Sequence, residues 1–246
     1  MAVLGLALFG CKTGVAPDPN DPAEAGVMGP DVLQQNLKGA NEALYQRLLA
    51  GEIDEQTYKK YIEQAAEDIL EKSPIDRLSP TEAWKYVEVL RTAGRWRDTA
   101  QLARVAVDFA KKSKNTDRWV NDSLRLAQAE AMLGNVDTAI KDVEAILGVG
   151  DTDAAPILLG VYLEVVPAAR GKGRDAELAA LTEKAIACQM RTKVNENSEA
   201  GANFIKARPT HVSRAWGLVV DLLNSAGRRQ EALAAAERGR QMMRSL

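Results

Sequence analysis

The sequence predicts an all-α fold, a solenoid of stacked antiparallel helix pairs, and three observations carry that expectation. One helix–turn–helix pattern recurs over Thr81–Ala106, Asn121–Ile146 and Arg214–Gly239, in phase with Gly94, Gly134 and Gly227. Seven residues before each glycine stands a small or β-branched side chain (Val87, Ala127, Val220), and five after it a small one (Thr99, Ala139, Ala232). Two helix backbones cross closely only where such side chains meet. Aromatics make up 5% of the chain, alanine and leucine abound, and long alternating β-branched runs are missing.

The bulk properties narrow the function classes. The 246 residues suffice to bury a core without staples. With 32 basic against 34 acidic residues, a formal charge of −2 creates no global field for nucleic acid. Cys11 and Cys188 lie too far apart for a disulfide framework or a clustered metal pair. Cys188, among Ala185, Ile186 and Ala187, reads as a small buried hydrophobe.

The N-terminus reads as an address. Ala2–Phe9 is uncharged and apolar, far short of the ~20 residues that span a bilayer but long enough for a signal-peptide core. Leu8-Phe9-Gly10-Cys11 resembles the lipobox of bacterial lipoproteins. That resemblance implies a signal peptide over residues 1–10, a lipid on Cys11 and a bacterial envelope location. Lys12 after the cysteine resembles the signal for outer-membrane transfer. Lys12–Pro30, rich in Pro, Gly, Asp and Ala without apolar periodicity, reads as a flexible tether. The residues leave open a soluble adaptor in which Cys11 is incidental.

Residues 31–74 predict an N-terminal helical hairpin. Asp31 is the expected cap of a helix to about Leu49, with Leu33, Leu37, Leu44 and Leu48 on one stripe. Gly51 breaks it, Asp54 caps the next helix, and Ser73-Pro74 closes that one. Residues 79–246 predict the repeat domain. Ser79 at the cap and Pro80 at the first helical position open it. With Trp84, Leu90, Gly94 and Ala103 in the first unit, Leu124, Ala127, Gly134 and Ala139 in the second, and Trp216, Leu223, Gly227, Ala232 and Ala236 in the last, the chain resembles the tetratricopeptide repeat (TPR) family. Ala154–Leu163 and Asp175–Cys188 predict an irregular pair between them, its first helix bounded by Pro156 and Pro167. Arg191–His211 lacks periodicity and is expected to be a long loop.

In such an array the first helix of each pair lines a concave groove. By register the groove-facing residues are Lys85, Glu88 and Arg91, then Asn121, Arg125 and Gln128, then Asp221 and Asn224. Their long polar side chains could hydrogen-bond an extended peptide or helix of a partner protein. The basic stretch that includes Arg97, Arg104, Lys111, Lys112 and Arg118 is diluted by Asp98, Asp108 and Asp117 and reads as solvated helix surface. No metalloprotease, nucleophile-elbow or phosphate-loop motif occurs, and His211 has no Cys or Ser motif beside it. The expectation is a non-enzymatic scaffold without a cofactor, tied to a membrane by a lipid.

Overall fold

The computed structural model describes residues 29–73, 79–149 and 156–246. Residues 1–28, with the signal peptide, Cys11 and all of the tether but Gly29 and Pro30, lie outside the described residues, as does Pro74. Among the described residues every regular element is helical. They form two compact units dividing after Arg95. The first expected repeat is thereby shared out: its helix A belongs to one unit and its helix B to the other.

The first unit holds α1 (Pro30–Leu49), α2 (Glu55–Leu70) and α3 (Ala83–Thr92), each packed on the other two. Gly29 caps α1, with Pro30 in its first turn. Asp31 is therefore inside the helix instead of capping it, and its carboxylate is used elsewhere, 2.5 Å from Lys85 Nζ. Asp54 does cap α2, accepting a hydrogen bond from the Thr57 N–H at 2.7 Å. Leu33, Leu37, Ile62, Ala66, Ile69, Tyr86, Val87 and Leu90 make the core. The stripe fades along α1, leaving Leu44 and Leu48 half-buried. Ser79 and Pro80 form a turn before α3, with the Ser79 carbonyl accepting from the N–H groups of Glu82 and Ala83. The helix begins later than expected for that reason.

The second unit starts with α4 (Trp96–Lys112), followed by α5 (Thr116–Met132) and α6 (Val136–Leu147). Next comes α7 (Ile157–Gly160), which runs through a π-helical turn (Val161–Val165) into α8 (Val166–Ala169). It ends with α9 (Asp175–Arg191), α10 (Glu199–Ser225) and α11 (Arg229–Arg244). Three hairpins follow one another: α5 with α6, α7–α8 with α9, and α10 with α11. Ala127 and Ala139 are wholly buried and Ala232 is 2% exposed, as close crossings demand. Val220 is only partly buried, and Val219 takes the core position instead. The core is continuous from Val120 to Ala235 and includes Cys188.

The hairpin turns share one device. At Gly134 (φ 88°) the glycine N–H bonds the Ala131 carbonyl and the Asn135 N–H bonds the Glu130 carbonyl. That paired arrangement satisfies the last free carbonyls of a helix and requires a left-handed residue. Gly51, Gly94 and Gly227 repeat it, and at the α4–α5 turn Lys114 (φ 56°) does so without being glycine.

Two expectations are corrected in this unit. Pro167 does not end the third pair's first helix. The Val166 N–H reaches back five residues to the Val161 carbonyl, and this wider turn lets a proline follow that has no N–H to offer. The Arg191–His211 segment is mostly helix, because α10 begins at Glu199. Ser198 caps it through the Gly201 N–H at 3.0 Å, and Phe204 and Val212 are buried. Arg208 donates to the Thr192 carbonyl at 2.9 Å, anchoring the new helix to the end of α9. What remains irregular is the short link from Thr192 to Asn197.

Candidate functional site

The residues expected on one groove stand on three helices, α3, α5 and α10. Lys85, Glu88 and Arg91 stand on α3 in the first unit. Lys85 is 9% exposed, its ammonium held by Asp31 and by Glu82 at 3.0 Å. Burial pulls its pKa down, and the two carboxylates outweigh that and raise it. A cation committed in this way fastens α3 to α1. Glu88 and Arg91 pair at 2.6 Å and line a 540 Å³ cleft shared with Leu37 and Asn41 of α1 and Tyr58 and Ile62 of α2. Tyr58 donates a hydrogen bond to Asn41 on its rim.

Asn121, Arg125 and Gln128 share one face of α5, where all three are half-buried. Their spacing of four and three residues is what one helical face requires. Beneath them lies Asp122, 1% exposed, whose carboxylate takes two hydrogen bonds from Arg118 Nη2, at 2.7 and 2.9 Å, and one from Arg125 at 3.4 Å. Burial drives the Asp122 pKa up while the two guanidinium groups oppose it. The network fixes the position of the Arg125 guanidinium on this face. Asn121, Leu124 and Arg125 form one wall of a 230 Å³ cleft whose other wall is Leu159, Gly160, Leu163 and Glu164. The helices come together there because residue 160 is glycine: a Cβ would stand 2.6 Å from Leu124 Cδ1. Leu163 is 55% exposed at the cleft edge.

Asp221 and Asn224 are exposed on α10. Asp221 lines a third cleft, of 480 Å³, between α10 and α11. The basic stretch is spread over exposed turns of α4 and its successor, with Lys111 lying over the Trp119 ring at 5.4 Å. His211 sits 6.2 Å from the Tyr162 ring; burial and the charge of Arg214 lower its pKa. Sequence reasoning missed the α7 side of the α5 cleft, since a helix running through a π turn to a proline has no simple period. Leu159 and Leu163, four apart around Gly160, were the available signal.

Among the described residues no three His, Cys, Asp or Glu side chains gather so as to hold a metal ion. No described helix is long and apolar enough to cross a membrane. The surfaces present apolar pockets edged by hydrogen-bonding groups, an arrangement suited to holding another chain noncovalently.

No protein-family model and no curated protein matches the chain. Solved structures do. Two structures from Podosopora anserina, of a kinesin light chain-like protein with nearly identical TPR-like repeats, one of them a point variant, each align at 16% identity over 85% of this chain, with a TM-score of 0.44. The alignments cover 94% of the variant's chain and 95% of the other's.

Proposed function

We propose that this protein is a lipid-anchored scaffold that binds a segment of a partner protein along the α5 face and organises it at a bacterial envelope membrane. The cleft between α5 and α7 carries the reading. It sets the Arg125 guanidinium and the Asn121 amide beside an apolar recess walled by Leu124, Leu159 and Leu163. An apolar side chain of the partner fills the recess, its neighbouring carbonyl or carboxylate accepts from Arg125, and Asn121 and Gln128 pair with its backbone. The concave groove expected for a TPR-like array, with Asp221 and Asn224 farther along, is part of this proposal. Membrane attachment rests on Leu8-Phe9-Gly10-Cys11 and on the tether-like composition of Lys12–Pro30.

Two experiments test the halves separately. In crosslinked membrane pulldowns, an Arg125→Ala/Gln128→Ala double variant should lose the partner captured by the wild type. Asp122 keeps its Arg118 pair in that variant, so folding is preserved. Retention of the same partner would remove the α5 face from consideration. Metabolic labelling with an alkyne fatty acid should mark the wild type and not Cys11→Ala. An unlabelled wild type would favour a soluble adaptor.

A further inference from the structure

The groove between α10 and α11 points to a second copy of this chain as its occupant. Its lining comes from these two helices alone. Each earlier hairpin of the unit has its flank covered, α6 by α9 and α9 by α10. Among the described residues no helix covers the α10–α11 hairpin in the same way, and its groove presents half-buried Val220, Ala236 and Met243 beside the exposed Gly217, over a floor where Gly239 lets Trp216 pack beneath.

The walls of this groove carry opposite charge. Asp221 lies on the α10 side, and Arg240 and Arg244, one turn apart, lie on the α11 side. Arg240 is bound to Glu237 at 2.6 Å within its own helix. Among the described residues neither Asp221 nor Arg244 has a hydrogen-bond or ion-pair partner. A surface that is apolar along its middle, acidic on one wall and basic on the other complements itself. A two-fold axis sets the α11 wall of one copy against the α10 wall of the other, so that each Arg244 meets the other copy's Asp221. A foreign helix could use the apolar floor, but it would need both signs of charge in this same order. We infer that the α10–α11 face is an isologous homodimer interface.

The interface is tested by sedimentation of the full chain in mild detergent. The wild type should be a dimer. Asp221→Arg and Arg244→Asp should each raise the dimer dissociation constant at least about tenfold, since each sets like charges together twice. Mixing the two variants should restore a dimer, because both cross-pairs then have opposite sign. Both positions are exposed, and unchanged melting curves would verify folding. If either variant fails to melt cooperatively, Asp221→Asn and Arg244→Gln replace them, and each should weaken the dimer and reduce its salt sensitivity. A wild type that stays monomeric at its highest soluble concentration overturns the inference. So does a dimer indifferent to both single variants, or a mixture that fails to associate.

Discussion

Lys114 is the residue at which the local chemistry and the backbone disagree most plainly. Its φ of 56° occupies the region that Gly51, Gly94, Gly134 and Gly227 reach at their own turns. An L side chain there costs ~1 kcal/mol against glycine, because Cβ crowds the following carbonyl. Lys114→Gly should therefore stabilise the protein by about 0.5–1 kcal/mol, less the entropy that glycine adds to the unfolded chain. A urea melt showing no gain would mean the α4–α5 turn relaxes in solution. Asp142 presents a different conflict. One carboxylate oxygen is buried without a hydrogen-bond partner, and burial, reinforced by the charge of Glu130, pushes its pKa from 3.8 up to about 6 against the pull of Arg104 and Lys111. A carboxyl with a raised folded pKa holds its proton more tightly in the folded state. Its ionisation penalty is absent below about 4, grows between about 4 and 6, and is complete above. Asp142→Asn should be more stable than the wild type at pH 7, and the gap should close as pH falls through this window. Parallel urea titrations at pH 5 and 7 check it, and a constant gap would count against a buried, perturbed carboxyl.

At the scale of the element, α10 shows how a helix can be assembled from a stretch without an obvious period. Pro209 sits inside it, withholding a donor from the Ile205 carbonyl and pressing on the preceding turn. The helix persists because Phe204 and Val212 are buried on either side and Arg208 ties it to α9. Pro209→Ala should then raise stability by about 1 kcal/mol or more, seen as a higher melting temperature. A fall would show that proline supplies needed rigidity. Turns and crossings were the legible parts of this fold. Glycine at a left-handed position and alanine at a crossing are each demanded by local sterics, so Gly94, Gly134, Ala139 and Ala232 could be placed from sequence. The N-terminal half of α10 could not, since its large apolar residues are confined to the adjacent Phe204 and Ile205 and tertiary packing decides the outcome. The π turn before Pro167 was equally hidden, because its evidence is a hydrogen bond and not a residue type. Of the candidate site, the α5 face was readable from spacing alone. Lys85 was not, as its partner Asp31 is remote in sequence and was expected to cap a helix. Ala139, wholly buried, gives the packing argument its sharpest check: Ala139→Leu should cost ~1–3 kcal/mol by overpacking, and an unaltered urea midpoint would put the α5–α6 crossing in error.

Within the second unit, stability is expected to be distributed as in a one-dimensional array, where each hairpin leans only on its neighbours. The core runs unbroken from Val120 to Ala235, yet α11 packs mainly on α10, and α10 chiefly on α9. The ion pairs that join successive hairpins, Arg174 with Asp137, Lys184 with Glu144 and Arg238 with Glu183, are largely exposed, so they add little to this coupling. A fault at the end of the row should therefore stay near the end. Ala235 is wholly buried, and Ala235→Asp would place an unpaired charge in the last hairpin, a change large enough to open it. Hydrogen exchange should then accelerate strongly through α10 and α11, moderately in α9, and hardly at all in α5 and α6. Uniform acceleration from α5 to α11 would show instead that the continuous core makes the unit a single cooperative body.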